Sequence, residues 1–146
     1  MTKIILALLL LLCLDASYAQ ETDRCKKVKK SETTCWGYIQ GHTAVEGGTV
    51  KEIRGKVVVP NEEPVPDALI EVFDSPDLDF DQRRRVAACR VGANGEFHFK
   101  GLRAGKYELR GSYCRGFDAG HTIITYAPKE KDASKVETLV TLNISQ

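Results

Sequence analysis

From Val50 onward, apolar residues fall at every second position in short runs, and clusters of Gly, Pro, Asn and Asp separate the runs. A period of two marks a strand with one buried face. Glu52 to Val59 ends in a β-branched run and stops at Pro60-Asn61, a turn signal reinforced by Pro64 and Pro66. Ala68 to Phe73 puts Ala68, Ile70 and Val72 on one face and Glu71 on the other. Arg84 to Val91 predicts a third strand, and Asn94-Gly95 predicts a closed hairpin, because that dipeptide tolerates the positive φ such a turn needs. Phe97 and Phe99 then point one way, and Glu96, His98 and Lys100 the other. Lys106 to Tyr113 places Tyr107, Leu109 and Tyr113 on a common face. His121 to Tyr126 and Glu137 to Ser145 complete the set, with Val140, Leu142 and Ile144 inward.

Seven such strands with no helical period predict an all-β fold, a seven-stranded antiparallel β-sandwich. Strand parity sets Cys114 opposite Tyr107 and Leu109. A bridge there would lie outside the core unless Gly111 carries a bulge.

The N-terminus follows another pattern. Lys3, the apolar run Ile4 to Leu14, and Ala16-Ser17-Tyr18-Ala19 have the three parts of a signal peptide. The run is too short to span a bilayer. Cleavage is expected after Ala19, giving a leader at 1–19, a cysteine-bearing extension at 20–49 and a sandwich domain at 50–146. The extension is basic at Lys26, Lys27, Lys29 and Lys30, continues through Cys35-Trp36-Gly37-Tyr38 and breaks at Gly47-Gly48.

Composition narrows the function classes. The net charge is +1, so no overall field favours nucleic acid or a membrane surface. No second apolar stretch could cross a membrane. Of five cysteines, Cys13 leaves with the leader, while Cys25, Cys35, Cys89 and Cys114 stay. An even set in an exported chain predicts disulfides, with Cys25–Cys35 and Cys89–Cys114 favoured as neighbours along the chain. Their spacings do not suit a zinc site, which wants close C-x-x-C pairs.

Several pieces together resemble carboxypeptidase regulatory-like domains. They are Ile53-Arg54-Gly55-Lys56-Val57, Glu63-Pro64-Val65-Pro66-Asp67-Ala68 with Ile70 and Val72, Gly92 to Phe99, and Gly101 to Arg110 with Gly105 and Tyr107. The resemblance covers Val50 to about Gly116 and implies a prealbumin-like, or carbohydrate-binding-like, seven-stranded sandwich. In bacterial exported proteins such domains occur alone or appended to larger receptors and enzymes. The family implies no shared catalytic residues and no cofactor.

Candidates for chemistry are few. Metallopeptidase activity would need an H-x-x-E pair, and none of His42, His98 and His121 begins one. Related hydroxyisourate hydrolases end in Tyr-Arg-Gly-Ser. Here Leu109-Arg110-Gly111-Ser112 stands mid-chain, with Leu where Tyr belongs. A cysteine nucleophile needs an unpaired, low-pKa thiol, and all four retained cysteines can pair. Ser112 with His98 or His121 has no supporting spacing.

Asp74, Asp77, Asp79 and Asp81 resemble a calcium loop only in charge, because the glycine turn and bidentate glutamate are missing. They predict a solvated acidic loop balanced by Arg83-Arg84-Arg85. An intramolecular isopeptide between Lys56 and Asn143 is disfavoured, since both fall on the outward parity of their strands. Asn143-Ile144-Ser145 is a glycosylation sequon placed in a strand.

Trp36 and Tyr38 are the ligand-binding candidates, able to stack on a sugar ring or to pack over one end of the sandwich. The expectation is therefore an exported, periplasmic or secreted, non-catalytic binding or structural module. Its partner would be an unknown protein or glycan at the cell envelope. The alternatives are a carbohydrate-binding module using Trp36 and Tyr38, and an accessory subunit docking by edge-strand addition.

Overall fold

The computed structural model describes residues 25–29, 44–79, 82–113 and 119–142. Nine strands run through them: β1 (Cys25–Lys27), β2 (Val45–Val50), β3 (Ile53–Val58), β4 (Leu69–Asp74), β5 (Arg85–Val91), β6 (Glu96–Phe99), β7 (Gly105–Ser112), β8 (Gly120–Tyr126) and β9 (Thr138–Thr141). No α-helix occurs among the described residues.

The strands form two mixed sheets, six strands in the order β1-β5-β4-β7-β8-β2 and three in the order β6-β3-β9. The all-β expectation is met, and the layout is consistent with a sandwich. Strand number and direction differ from expectation. β1 and β2 join the large sheet from within the expected extension. Two pairings are parallel, β2 with β8 and β3 with β9. Alternation reports which face of a strand is buried and says nothing of its neighbour's direction.

The sheets share one apolar cluster. Ile53, Val57, Phe97 and Val140 enter it from the small sheet, and Ile70, Val72, Leu109 and Ile124 from the large one. Burying such side chains contributes roughly 1.5–3 kcal/mol each. Gly111 lies at the contact: a Cβ there would come within 2.9 Å of Val140 and 3.4 Å of Val57. The β7–β8 register runs unbroken from Gly105 to Gly111, so no bulge lies there. The irregularities fall instead between Val72 and Phe73, and between Glu46 and Thr49.

Asn94-Gly95 makes the expected tight turn, with Gly95 at φ 67° and its N–H donating to the Gly92 carbonyl at 3.0 Å. The hairpin is corrected, however. β5 belongs to the large sheet and β6 to the small one, so this turn carries the chain between layers. Val57 N–H reaches back to the Gly95 carbonyl at 2.9 Å and docks the turn onto β3. The proline loop returns alongside the same strand through a Val58–Pro64 bridge, with Val65 N–H donating to the Val57 carbonyl. Tyr107 buries its ring, and its hydroxyl donates to the Arg103 carbonyl at 2.8 Å, tying β7 to the turn before it.

β9 occupies a narrow slot. A Cβ on Gly55 in β3 would meet the Thr138 carbonyl oxygen at 1.7 Å, and one on Gly120 in β8 would meet the Thr141 oxygen at 1.8 Å. The backbone of β9 thus lies against bare glycine from both sheets.

Candidate functional site: a buried ion cluster and an open sheet edge

On the outer face of the large sheet, where alternation predicts solvent, β4, β7 and β8 hold charged side chains out of water. Register brings Arg110 beside Glu71 and His121, and Glu108 beside Phe73. Glu71 is 1% exposed, Glu108 0% and Arg110 2%.

Both Glu108 oxygens accept from the Arg110 guanidinium at 3.0 Å. Arg83 donates to one of them at 2.6 Å, and His121 Nδ1 lies 3.0 Å from the other. Arg110 also stacks 4.3 Å above the Phe73 ring. Arg85 donates to Glu71 at 2.9 Å. Burial pushes the Glu108 carboxyl up, but the His121 contact, the charge and hydrogen bonds of Arg110, and the Arg83 bond outweigh it and hold the group at about 2. A carboxylate gripped in this way is a poor proton carrier near neutral pH. The cluster fastens the loop before β5 to the middle of the sheet.

The acidic loop shares this cationic pinning. Arg84 bonds Asp74 at 2.7 Å, Lys106 bonds Asp77 at 2.9 Å, and Arg83 Nε donates to the Leu78 carbonyl at 2.9 Å. The three consecutive arginines therefore hold three different carboxylates: Arg83 takes Glu108, Arg84 takes Asp74 and Arg85 takes Glu71. Asp79 is exposed and Asp81 lies outside the described residues. No group of three or more metal-ligating side chains occurs among the described residues.

Three outcomes are expected. Arg84 is 79% exposed in its pair, so Arg84→Ala should change stability by no more than about 0.5 kcal/mol in urea titration. Arg83→Ala should cost roughly 1–3 kcal/mol, because it strips a donor from a buried carboxylate. Calcium at millimolar concentration should leave the melting temperature of the chain where it was.

The candidate hydroxyl and imidazoles do not converge. The Ser112 hydroxyl is buried with no hydrogen-bond partner among the described residues, while His121 is engaged with Glu108. His98 lies on the small sheet, opposite Arg54. Lys56 points outward as expected, 3.9 Å from both Glu96 and Glu137. Trp36, Tyr38, Cys35, Cys114 and Asn143 lie outside the described residues, as does the side chain of Cys25. Cys89 is buried.

The described residues line two openings of note on this frame. A shallow polar cleft of about 330 Å³ on the small sheet is lined by Arg54, Gly55, Glu96, Phe97, His98 and Glu137. A groove of about 210 Å³ lies between the edge strands β2 and β9, and its lining includes Val45, Gly47, Thr122, Val136, Thr138 and Leu139. Val45 is 60% exposed, Val136 74% and Leu139 40%. Thr122 donates its hydroxyl to the Leu139 carbonyl at 3.0 Å. Thr138 is 6% exposed, and its hydroxyl has no partner among the described residues.

Alternation alone gave no warning of either feature. A signal for the cluster did exist: Glu108 and Arg110 are opposite charges two residues apart in a strand, hence on one face. Glu71 adds a charge at the outward parity of β4, and Arg83 and Arg84 lead into β5, which opens on Arg85. The groove had no such signal, since it depends on two edge strands meeting. No protein-family model matches the chain, and no curated protein matches it. No helix among the described residues is long and apolar enough to cross a membrane.

Proposed function

We propose that this chain is an exported, non-catalytic binding module of the carboxypeptidase regulatory-like kind, with a transthyretin-like sandwich and a cleaved leader at 1–19. The observation that carries the binding reading is the groove between β2 and β9, where three aliphatic side chains stand in solvent beside a strand edge. Exposed aliphatic clusters at an edge mark contact surfaces. The buried charges, in contrast, are engaged with one another, which suits a scaffold better than a reaction centre. Supporting the family assignment, the motif residues sit where a fold would need them: Gly55 against β9, Gly95 in a positive-φ turn, Phe97 in the core and Tyr107 hydrogen-bonded to Arg103.

The proposed partner is a protein at the cell envelope. Isolation of the tagged full chain from its own cell envelope after mild crosslinking should give one stoichiometric complex. Recovery of the chain free of any partner would count against the module. Retention on glycan that vanishes with Trp36→Ala would instead move the function to the carbohydrate-binding alternative. The proposed Cys25–Cys35 and Cys89–Cys114 bridges contribute roughly 3 kcal/mol each by loop closure. Peptide mapping of the unreduced, alkylated protein should recover both pairs, and linkage of Cys89 to any other cysteine would redraw them.

A further inference from the structure

The turn that carries the chain between the two sheets holds a reactive pair. Of the three asparagines, Asn61, Asn94 and Asn143, Asn94 alone precedes a glycine. Glycine has no Cβ to hinder attack by its own backbone nitrogen on the preceding side chain. Asn94 is exposed at the tip of the turn, and Gly95 is buried behind it. Three contacts hold the Gly95 nitrogen away from that reaction. Its N–H donates to the Gly92 carbonyl at 3.0 Å, and the Gly95 carbonyl accepts from Val57 N–H at 2.9 Å. At φ 67° the Gly95 Cα packs so closely on β3 that a Cβ would come within 2.6 Å of the Val57 oxygen. Attack requires the nitrogen to lose its proton and swing toward the Asn94 side chain, which the docked turn prevents.

We propose that Asn94 is a self-modification site, kept dormant by the fold and released whenever the turn opens from β3. In the opened turn the Gly95 nitrogen bonds to the Asn94 Cγ and the Cγ–Nδ2 bond breaks. The proton from the Gly95 nitrogen leaves with Nδ2 as ammonia. The cyclic imide then takes up one water. Hydrolysis at Cγ gives aspartate, and hydrolysis at the main-chain carbonyl gives isoaspartate. Isoaspartate routes the main chain through Cβ and Cγ, adding one atom to the turn. Gly95 then cannot meet both the Gly92 carbonyl and Val57 N–H, so the turn does not redock. The change runs one way and records how often the molecule has opened locally.

The test follows the tryptic peptide 91–100 from the full chain, held in warm, mildly alkaline buffer with and without guanidinium chloride. Mass gain and labelling by an isoaspartate-specific methyltransferase report the conversion. The native chain should convert at least about fivefold more slowly than the unfolded chain. Its rate should climb through the unfolding transition. Asn61 and Asn143 should stay unchanged over the same period, and Asn94→Gln should abolish the labelling of the peptide. The isoaspartate form, separated by chromatography, should melt about 4 °C or more below the unconverted chain. Asn94→Asp keeps the ordinary main chain and should melt within about 2 °C of it.

A smaller difference between native and unfolded rates overturns the inference. So does an absence of conversion in denaturant, or an isoaspartate form that melts with Asn94→Asp.

Discussion

Glu108→Ala should destabilise the protein by roughly 3–5 kcal/mol, the range for removing one member of a buried ion cluster. The size comes from what is left behind. Arg110 is 2% exposed, and Arg83 and His121 are also turned toward the missing carboxylate. Urea denaturation at pH 7 measures the loss directly, and a change below about 1 kcal/mol would mean that the cluster is not closed as described. The same carboxylate predicts a pH dependence. Its folded-state value of about 2 lies below its ordinary 4.5, so the bound carboxylate stabilises the fold above pH 4.5. That stability drains as the pH falls from 4.5 toward 2, and it is worth about 3 kcal/mol. Between pH 7 and 3, the wild-type chain should therefore lose more stability than Glu108→Gln, which carries no titrating group at this position.

Gly55→Ala should cost about 3 kcal/mol or more and could prevent folding altogether. A Cβ placed 1.7 Å from the Thr138 carbonyl oxygen cannot be accommodated by a rotamer change, because the obstacle is backbone. β3 and β9 would have to separate, breaking the parallel ladder and reopening the core behind Val57 and Val140. Gly95→Ala makes a useful comparison: it combines a positive φ with a 2.6 Å approach to the Val57 oxygen. Gly101→Ala, at φ 78° with open space around it, should show the cost of backbone conformation alone, about 1 kcal/mol. Thermal melts of the three variants should rank Gly55 and Gly95 well below Gly101, and a mild Gly55→Ala would contradict the close approach of the two strands.

Much of the inner face could be read directly from the residues. Ile70, Val72, Phe97, Leu109 and Val140 fall at the inward parity of their strands, Phe97 and Leu109 between polar neighbours on both sides, and each is buried. The turn at Asn94-Gly95 was equally plain, because few residues tolerate its φ. What followed the turn was not. A two-residue signal fixes local geometry, while the decision to enter the opposite sheet comes from β6 pairing with β3. Direction was hidden for the same reason, since Thr138 to Thr141 alternates identically whether it runs with β3 or against it.

The outer face of β7 defeats period-two reasoning in another way. Glu108 and Arg110 satisfy each other, and so they can be buried at positions normally given to water. The groove at β2 and β9 is a relation between distant segments, and its buried Thr138 hydroxyl, without a partner among the described residues, is indistinguishable in the sequence from any other strand threonine.

The slot that holds β9 also dictates when the molecule can become whole. β3 emerges early from the ribosome, yet the strand completing its sheet lies far downstream, as does Lys135, whose carbonyl takes the Arg54 guanidinium across 81 residues. Until that late segment arrives, Ile53 and Val57 have an open flank. Such long-range closure slows folding, leaving an interval in which the nascent polypeptide can still be threaded or cut by a protease. An incomplete product ending before Thr138 should be degraded quickly, whereas the finished chain resists digestion.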